Sequence, residues 1–243
     1  MKILAIGNSF SQDATRYLHS IAKADGMDMM VVNLMIGGCS LRKHYFNILE
    51  NNNNYSFEFN GEKTNLPVTV KDALLSNEWD YVTIQQVSSQ SPNYSTYELY
   101  LKTIADYIRK YAPTAKILIH QTWAYEDNSK RLNEELGYVS SDKMYYDLEK
   151  AYKCAKDEID AAGIIPSGYA FECAKELGIS PLHRDTFHSS FGIGRYIVAL
   201  TWYKYLTGND IMQNTFCDFD EEITDEDIIL CKKAATKAVE TYK

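Results

Sequence analysis

Three side chains in this sequence could together move a proton and form a bond: the hydroxyl of Ser9 and, far along the chain, the carboxylate of Asp185 and the imidazole of His188. An imidazole takes the proton of a serine hydroxyl, and a carboxylate on its other nitrogen fixes the tautomer and steadies the imidazolium. A three-residue spacing in a turn brings carboxylate and imidazole to one side. Taken alone, Asp-x-x-His also describes a surface ion pair, and a serine before a helix most often caps it. Local sequence therefore leaves Ser9 and Ser11 open as caps. The conjunction of the two segments is what points to a nucleophile with its base.

The elements that must position these groups follow from periodicity. An apolar run, Ile3 to Ile6, breaks into Gly7-Asn8-Ser9-Phe10-Ser11, and Ala14, Leu18, Ile21 and Ala22 then recur at helical spacing. Strand, tight turn and helix would lift the Ser9 hydroxyl to the carboxyl edge of a sheet, beside the first N–H groups of a helix. A second apolar run, Met29 to Ile36, closes in Gly37-Gly38-Cys39-Ser40, where glycine lets the backbone approach a ligand and offer its N–H. A plain loop glycine reads equally well there. A third strand, Tyr81 to Gln86, runs into Val87-Ser88-Ser89, and a fourth, Lys116 to Gln121, runs into Trp123 and Tyr125.

Helical patterns over 96–111, 144–162, 169–177 and 193–206, with a short fifth strand at 164–166, alternate with these strands. That rhythm predicts an α/β fold with a mostly parallel sheet of about five strands and helices on both faces. Residues 41–78 are less regular and contain an Asn60-Gly61 hairpin signal. We expect one domain over 1–243, with 41–78 inserted over the sheet edge as a rim for the site.

Composition narrows the classes. At 243 residues and 45% hydrophobic content the chain can bury one large core. A formal charge of −8 without a Lys/Arg cluster predicts no nucleic-acid and no membrane partner. Five widely spaced cysteines without a CxxC pair fit reduced thiols better than disulfides or a zinc site. A cytoplasmic setting is expected by default, and an exported one if a leader has been trimmed.

With these residues in view, the chain resembles the SGNH/GDSL hydrolases. Gly7-Asn8-Ser9-Phe10-Ser11 looks like the family's first block, usually Gly-Asp-Ser-Leu, and Asn33 through Gly38 looks like the second. Asp185-Thr186-Phe187-His188 matches the fifth block. The third block departs: where the family has Gly-x-Asn-Asp, this chain has Ile84-Gln85-Gln86-Val87-Ser88.

The resemblance implies a three-layer, flavodoxin-like α/β/α fold. It also implies acyl transfer by Ser9 with His188 as base and Asp185 as its orienting partner, and no cofactor. Gly38 would supply an oxyanion N–H, and the missing asparagine would be replaced by Gln86 or else Ser88. A short-chain ester, acetyl on a carbohydrate or small glycoside, is the expected substrate, with Trp123 and Tyr125 as flat surfaces for a sugar ring. Other readings are a lipase or thioesterase, a non-catalytic binding module on the same scaffold, a metal-dependent hydrolase using His183, Asp185 and His188, or Cys39 as nucleophile. The metal reading leaves Ser9 unexplained and lacks an HExxH helix, so no metal is expected.

Overall fold

A computed structural model describes residues 1–242. Its sheet has β1 (Lys2–Gly7) in the middle of seven strands. On one side β1 pairs in parallel with β2 (Met30–Met35). On the other it pairs in parallel with β5 (Tyr81–Ile84), followed by β6 (Lys116–His120) and β7 (Gly163–Ile165), also parallel. Nearly every β1 residue is buried, as a central strand covered on both faces requires. The loops after β1, β2, β5 and β6 consequently open on one edge.

The expectation of about five strands was short by two. β3 (Tyr55–Phe59) and β4 (Glu62–Val68) form a hairpin that pairs antiparallel with β2 and extends the sheet. Asn60 and Gly61 turn the hairpin with φ of 51° and 87°, the left-handed pair that Asn-Gly adopts readily. Residues 41–78 are thus a sheet extension with a helix at each end, α3 (Leu41–Leu49) and α4 (Val70–Leu75). They do not form a rim over the site. Alternation alone does not distinguish a free hairpin from one docked on a neighbouring strand.

The long first helix expected after Ser9 is two short ones, α1 (Ser9–Thr15) and α2 (Leu18–Ala24). The remaining helices are α5 (Tyr100–Tyr111), α6 (Ser141–Glu158), α7 (Ser167–Glu176), α8 (Ile193–Thr207) and α9 (Asp225–Thr241). α1, α2, α7 and α9 all pack on α8, while α3, α4 and α5 form a separate group. α8 is buried almost all round, as expected of a helix apolar on every face. No helix of the described residues is long and apolar enough to cross a membrane.

Three histidines lie inside this fold and are held neutral by burial. His44 and His120 are pushed down to about 3 and His183 to about 4. Unfolding frees each imidazole to titrate near its ordinary value of about 6.5. Between those values the unfolded chain binds more protons, so stability rises with pH. Glu58 and Glu172, whose carboxyls burial raises, contribute with the opposite sign. The net expectation is a urea midpoint that climbs between about pH 4 and about 6.5, with a shallower climb in His120→Gln. A flat profile would contradict neutral burial.

Candidate active site

The turn after β1 is built around Asn8. Its Oδ1 accepts the Phe10 N–H at 3.0 Å, capping α1, and also accepts Gln85 Nε2 at 2.9 Å. Its Nδ2 donates to the Cys39 carbonyl at 3.0 Å. One buried amide therefore fixes the start of α1, the loop after β2 and the end of β5 relative to one another. Gln85 is held in turn by His120, whose Nδ1 lies 2.6 Å from Gln85 Oε1. Glycine suits position 7 below the turn, because a Cβ there would collide with the buried Ser11 side chain.

Ser9 follows as the first residue of α1, half-buried, and its Oγ lies 2.8 Å from His188 Nε2. His188 Nδ1 lies 2.7 Å from Asp185 Oδ2, and the His188 backbone N–H donates to Asp185 Oδ1 at 2.8 Å. With Nδ1–H donating to the carboxylate, Nε2 presents its lone pair to the serine. Burial tends to raise the Asp185 carboxyl, but hydrogen bonds from the His188 ring and backbone outweigh it and hold it below its usual range. Asp185 is therefore a carboxylate at neutral pH.

The loop carrying these two residues is fastened from three directions. Thr186 takes φ of 73°, an uncommon and strained conformation for a β-branched residue, and its carbonyl accepts the Glu126 N–H at 2.8 Å. The Phe187 carbonyl accepts Trp123 Nε1 at 2.8 Å. Arg184 Nη1 donates at 2.9 Å to Asp13, a fully buried carboxylate on α1 that Arg195 also binds at 2.8 Å. Asp13 thereby ties the histidine loop and α8 to the helix that begins at Ser9.

A cleft of about 420 Å³ opens over Ser9 and His188, with Gly38, Ser88, Tyr125 and Phe187 among its lining residues. The backbone N–H groups of Ser9, Gly38, Ser88 and Ser89 have no protein acceptor among the described residues. Gly38 sits at φ of 61°, which glycine takes without strain.

Two expected site residues are placed elsewhere. Gln86 is fully buried, and its amide is consumed by the fold: Oε1 accepts the Leu41 and Val87 N–H groups at 2.9 Å, and Nε2 donates to the Thr96 carbonyl and hydroxyl at 3.1 Å. It does not face the cleft. Trp123 is not a rim residue either, being fully buried between Phe10 and Phe171 with ring centroids 4.3 and 4.8 Å away. An aromatic after a strand end packs inward or outward according to neighbours that the sequence does not reveal.

Ser88 does reach the cleft, its hydroxyl 2.8 Å from the Tyr125 hydroxyl. His183 turns away from Asp185 and His188 to the Ala124 carbonyl at 3.0 Å. Burial pushes the Cys39 thiol up to about 12, a poor state for a nucleophile. Asn8 and Asp13 carried no sequence signal of their own; Asn8 was visible only as a departure from the first block.

Comparisons bear on this arrangement. Residues 2–238 match the family described as Domain of unknown function (DUF4886), and the chain belongs to that family. A crystal structure of a DUF4886 protein from Bacteroides uniformis is 36% identical, with a TM-score of 0.92 over 99% of this chain and 95% of that one. A protein from Slackia heliotrinireducens provisionally named an SGNH hydrolase is 21% identical, with a TM-score of 0.61 over 84% of this chain and 97% of its own. An acetylxylan esterase from Geobacillus stearothermophilus is 16% identical, with a TM-score of 0.52 over 84% and 92%. The resemblance to the SGNH/GDSL hydrolases therefore holds at the level of fold. No curated protein matches the sequence.

Asn8→Ala removes an N-cap and leaves the Cys39 carbonyl and the Gln85 amide without their partner. We expect a stability loss of about 1–3 kcal/mol and a kcat at least about tenfold lower in the molecules that remain folded. Chemical unfolding and ester kinetics check this together, and unchanged kcat would show that Asn8 does not position the serine.

Proposed function

We propose that the protein is a serine esterase that removes short acyl groups, acetyl first among them, from a carbohydrate or small glycoside. The observation that carries this reading is the unbroken chain from Ser9 Oγ through the His188 ring to the Asp185 carboxylate, at 2.8 and 2.7 Å, beside unpaired backbone N–H groups in an open cleft.

In this reading Ser9 Oγ attacks the ester carbonyl carbon while its proton passes to His188 Nε2. The negative charge that develops on the carbonyl oxygen is met by the Ser9 and Gly38 N–H groups. The turn at Ser88 and Ser89 offers a third donor in the place that Gln86 leaves empty. Collapse of the tetrahedral intermediate breaks the bond to the alcohol, which leaves with the proton from His188. Water then attacks the acyl-serine, giving one proton to His188, and the acid departs as that proton returns to Ser9.

Cleft size and lining support the choice of substrate. A volume of about 420 Å³ accommodates a small acyl group and one or two sugar-sized rings. The lining also offers hydroxyl groups for a polar alcohol, those of Ser88 and Ser89 among them. The fold likeness to an acetylxylan esterase supports the same class by analogy.

Hydrolysis of 4-nitrophenyl esters of increasing acyl length tests the proposal. We expect acetate to be preferred over octanoate. Ser9→Ala and His188→Ala should each lower kcat by about 10⁴–10⁶, and Asp185→Asn should cost less than either. A Ser9→Ala protein that keeps most of its activity would end the assignment.

A further inference from the structure

The cleft contains one permanent charge, and its position relative to His188 identifies which part of an ester it would meet. Among the described lining residues only Arg131 is always ionised. Its guanidinium lies over the Phe187 ring at 3.9 Å, and the Phe187 ring is 3.9 Å, centroid to centroid, from His188. Arg131, Phe187 and His188 thus follow one another along the lining of the cleft.

Two features make Arg131 available to a ligand. Its Nε is 3.5 Å from Glu135, in a pair with both partners about half exposed, which is a weak interaction in water. Both Nη atoms have no protein acceptor among the described residues. Stacking on Phe187 holds the guanidinium plane while leaving its donor edge open. The residue also opens a π-helical turn, Arg131–Glu135, closed by a bond from the Leu136 N–H to the Arg131 carbonyl at 3.1 Å. Such turns are rare and concentrate at functional sites.

The leaving alcohol takes its proton from His188 Nε2, so the alcohol portion of the ester lies over the His188 side of the cleft. We infer that Arg131 selects esters whose alcohol portion carries a carboxylate, such as an acetylated sugar acid. This rests on the esterase reading. A planar guanidinium with two free nitrogens pairs with a carboxylate through two parallel hydrogen bonds. In a protein of net charge −8, an anionic substrate would need such a local cation to enter the site.

A matched pair of acetyl esters tests the inference: 4-acetoxyphenylacetate and its amide, in which a methylene insulates the phenol from the varied group so that the leaving groups are closely alike and only the charge differs. For the wild-type protein we expect kcat/KM to favour the charged ester by roughly tenfold to a hundredfold, mostly through KM, as suits a charge-assisted bidentate pair. That preference should shrink as salt is added. Arg131→Met keeps apolar bulk on Phe187 and should abolish the preference, while Arg131→Glu should reverse it. A wild-type protein without the preference, or an Arg131→Met protein that retains it, overturns the inference even though ester hydrolysis is seen. Absence of Ser9-dependent turnover of both esters overturns the esterase reading and this inference with it.

Discussion

The Asn8 side chain holds together three segments that would otherwise be independent loop ends. Its carbonyl oxygen caps α1 and receives Gln85, and its amide nitrogen holds the Cys39 carbonyl. Because Ser9 is the next residue and Gly38 precedes Cys39, the same amide sets the hydroxyl and two backbone donors in one frame. All three bonds are buried, where a lost partner costs more than at the surface. An aspartate, the usual residue at this position in the SGNH/GDSL pattern, would have no hydrogen to give the Cys39 carbonyl. The asparagine therefore belongs to this chain's own way of joining the first and second blocks.

The second constraint is the distance in sequence between Ser9 and His188. Asp13 bridges it with ion pairs to Arg184 and Arg195, and Trp123 and Glu126 hold the carbonyls at Phe187 and Thr186. A buried carboxylate shared by two arginines is strongly destabilised if one partner is removed, which makes the bridge a demanding but directional device. The left-handed Thr186 fits this picture, because a strained residue persists only where its surroundings over-determine the backbone. The result is an imidazole held against the Ser9 hydroxyl by the fold itself.

Much of this was legible in the sequence, for physical reasons. Buried parallel strands read as continuous apolar runs, ending in glycine after β1 and β2 and in polar residues after β5 and β6, so these four strands and the loops after them could be located from pattern. Asp185 and His188 are close in the chain, and local geometry is short-range. What stayed hidden depends on long-range packing. Gln86 looked like a donor because it ends a strand, yet its amide is used up on Leu41, Val87 and Thr96, residues whose proximity only the fold creates. Trp123 was expected at the surface and is sandwiched in the core. Arg131 sits in a segment without helical or strand periodicity, and its relevance appears only once Phe187 is seen beneath it.

The claim on which everything else rests is that the turn after β1 makes Ser9 a nucleophile. Incubating the protein with a fluorophosphonate and mapping the adduct by peptide mass spectrometry tests it without assuming any substrate. The account predicts a single adduct, on Ser9, forming far more slowly in His188→Ala because the hydroxyl then lacks its base. No adduct, or an adduct confined to another residue, would contradict it.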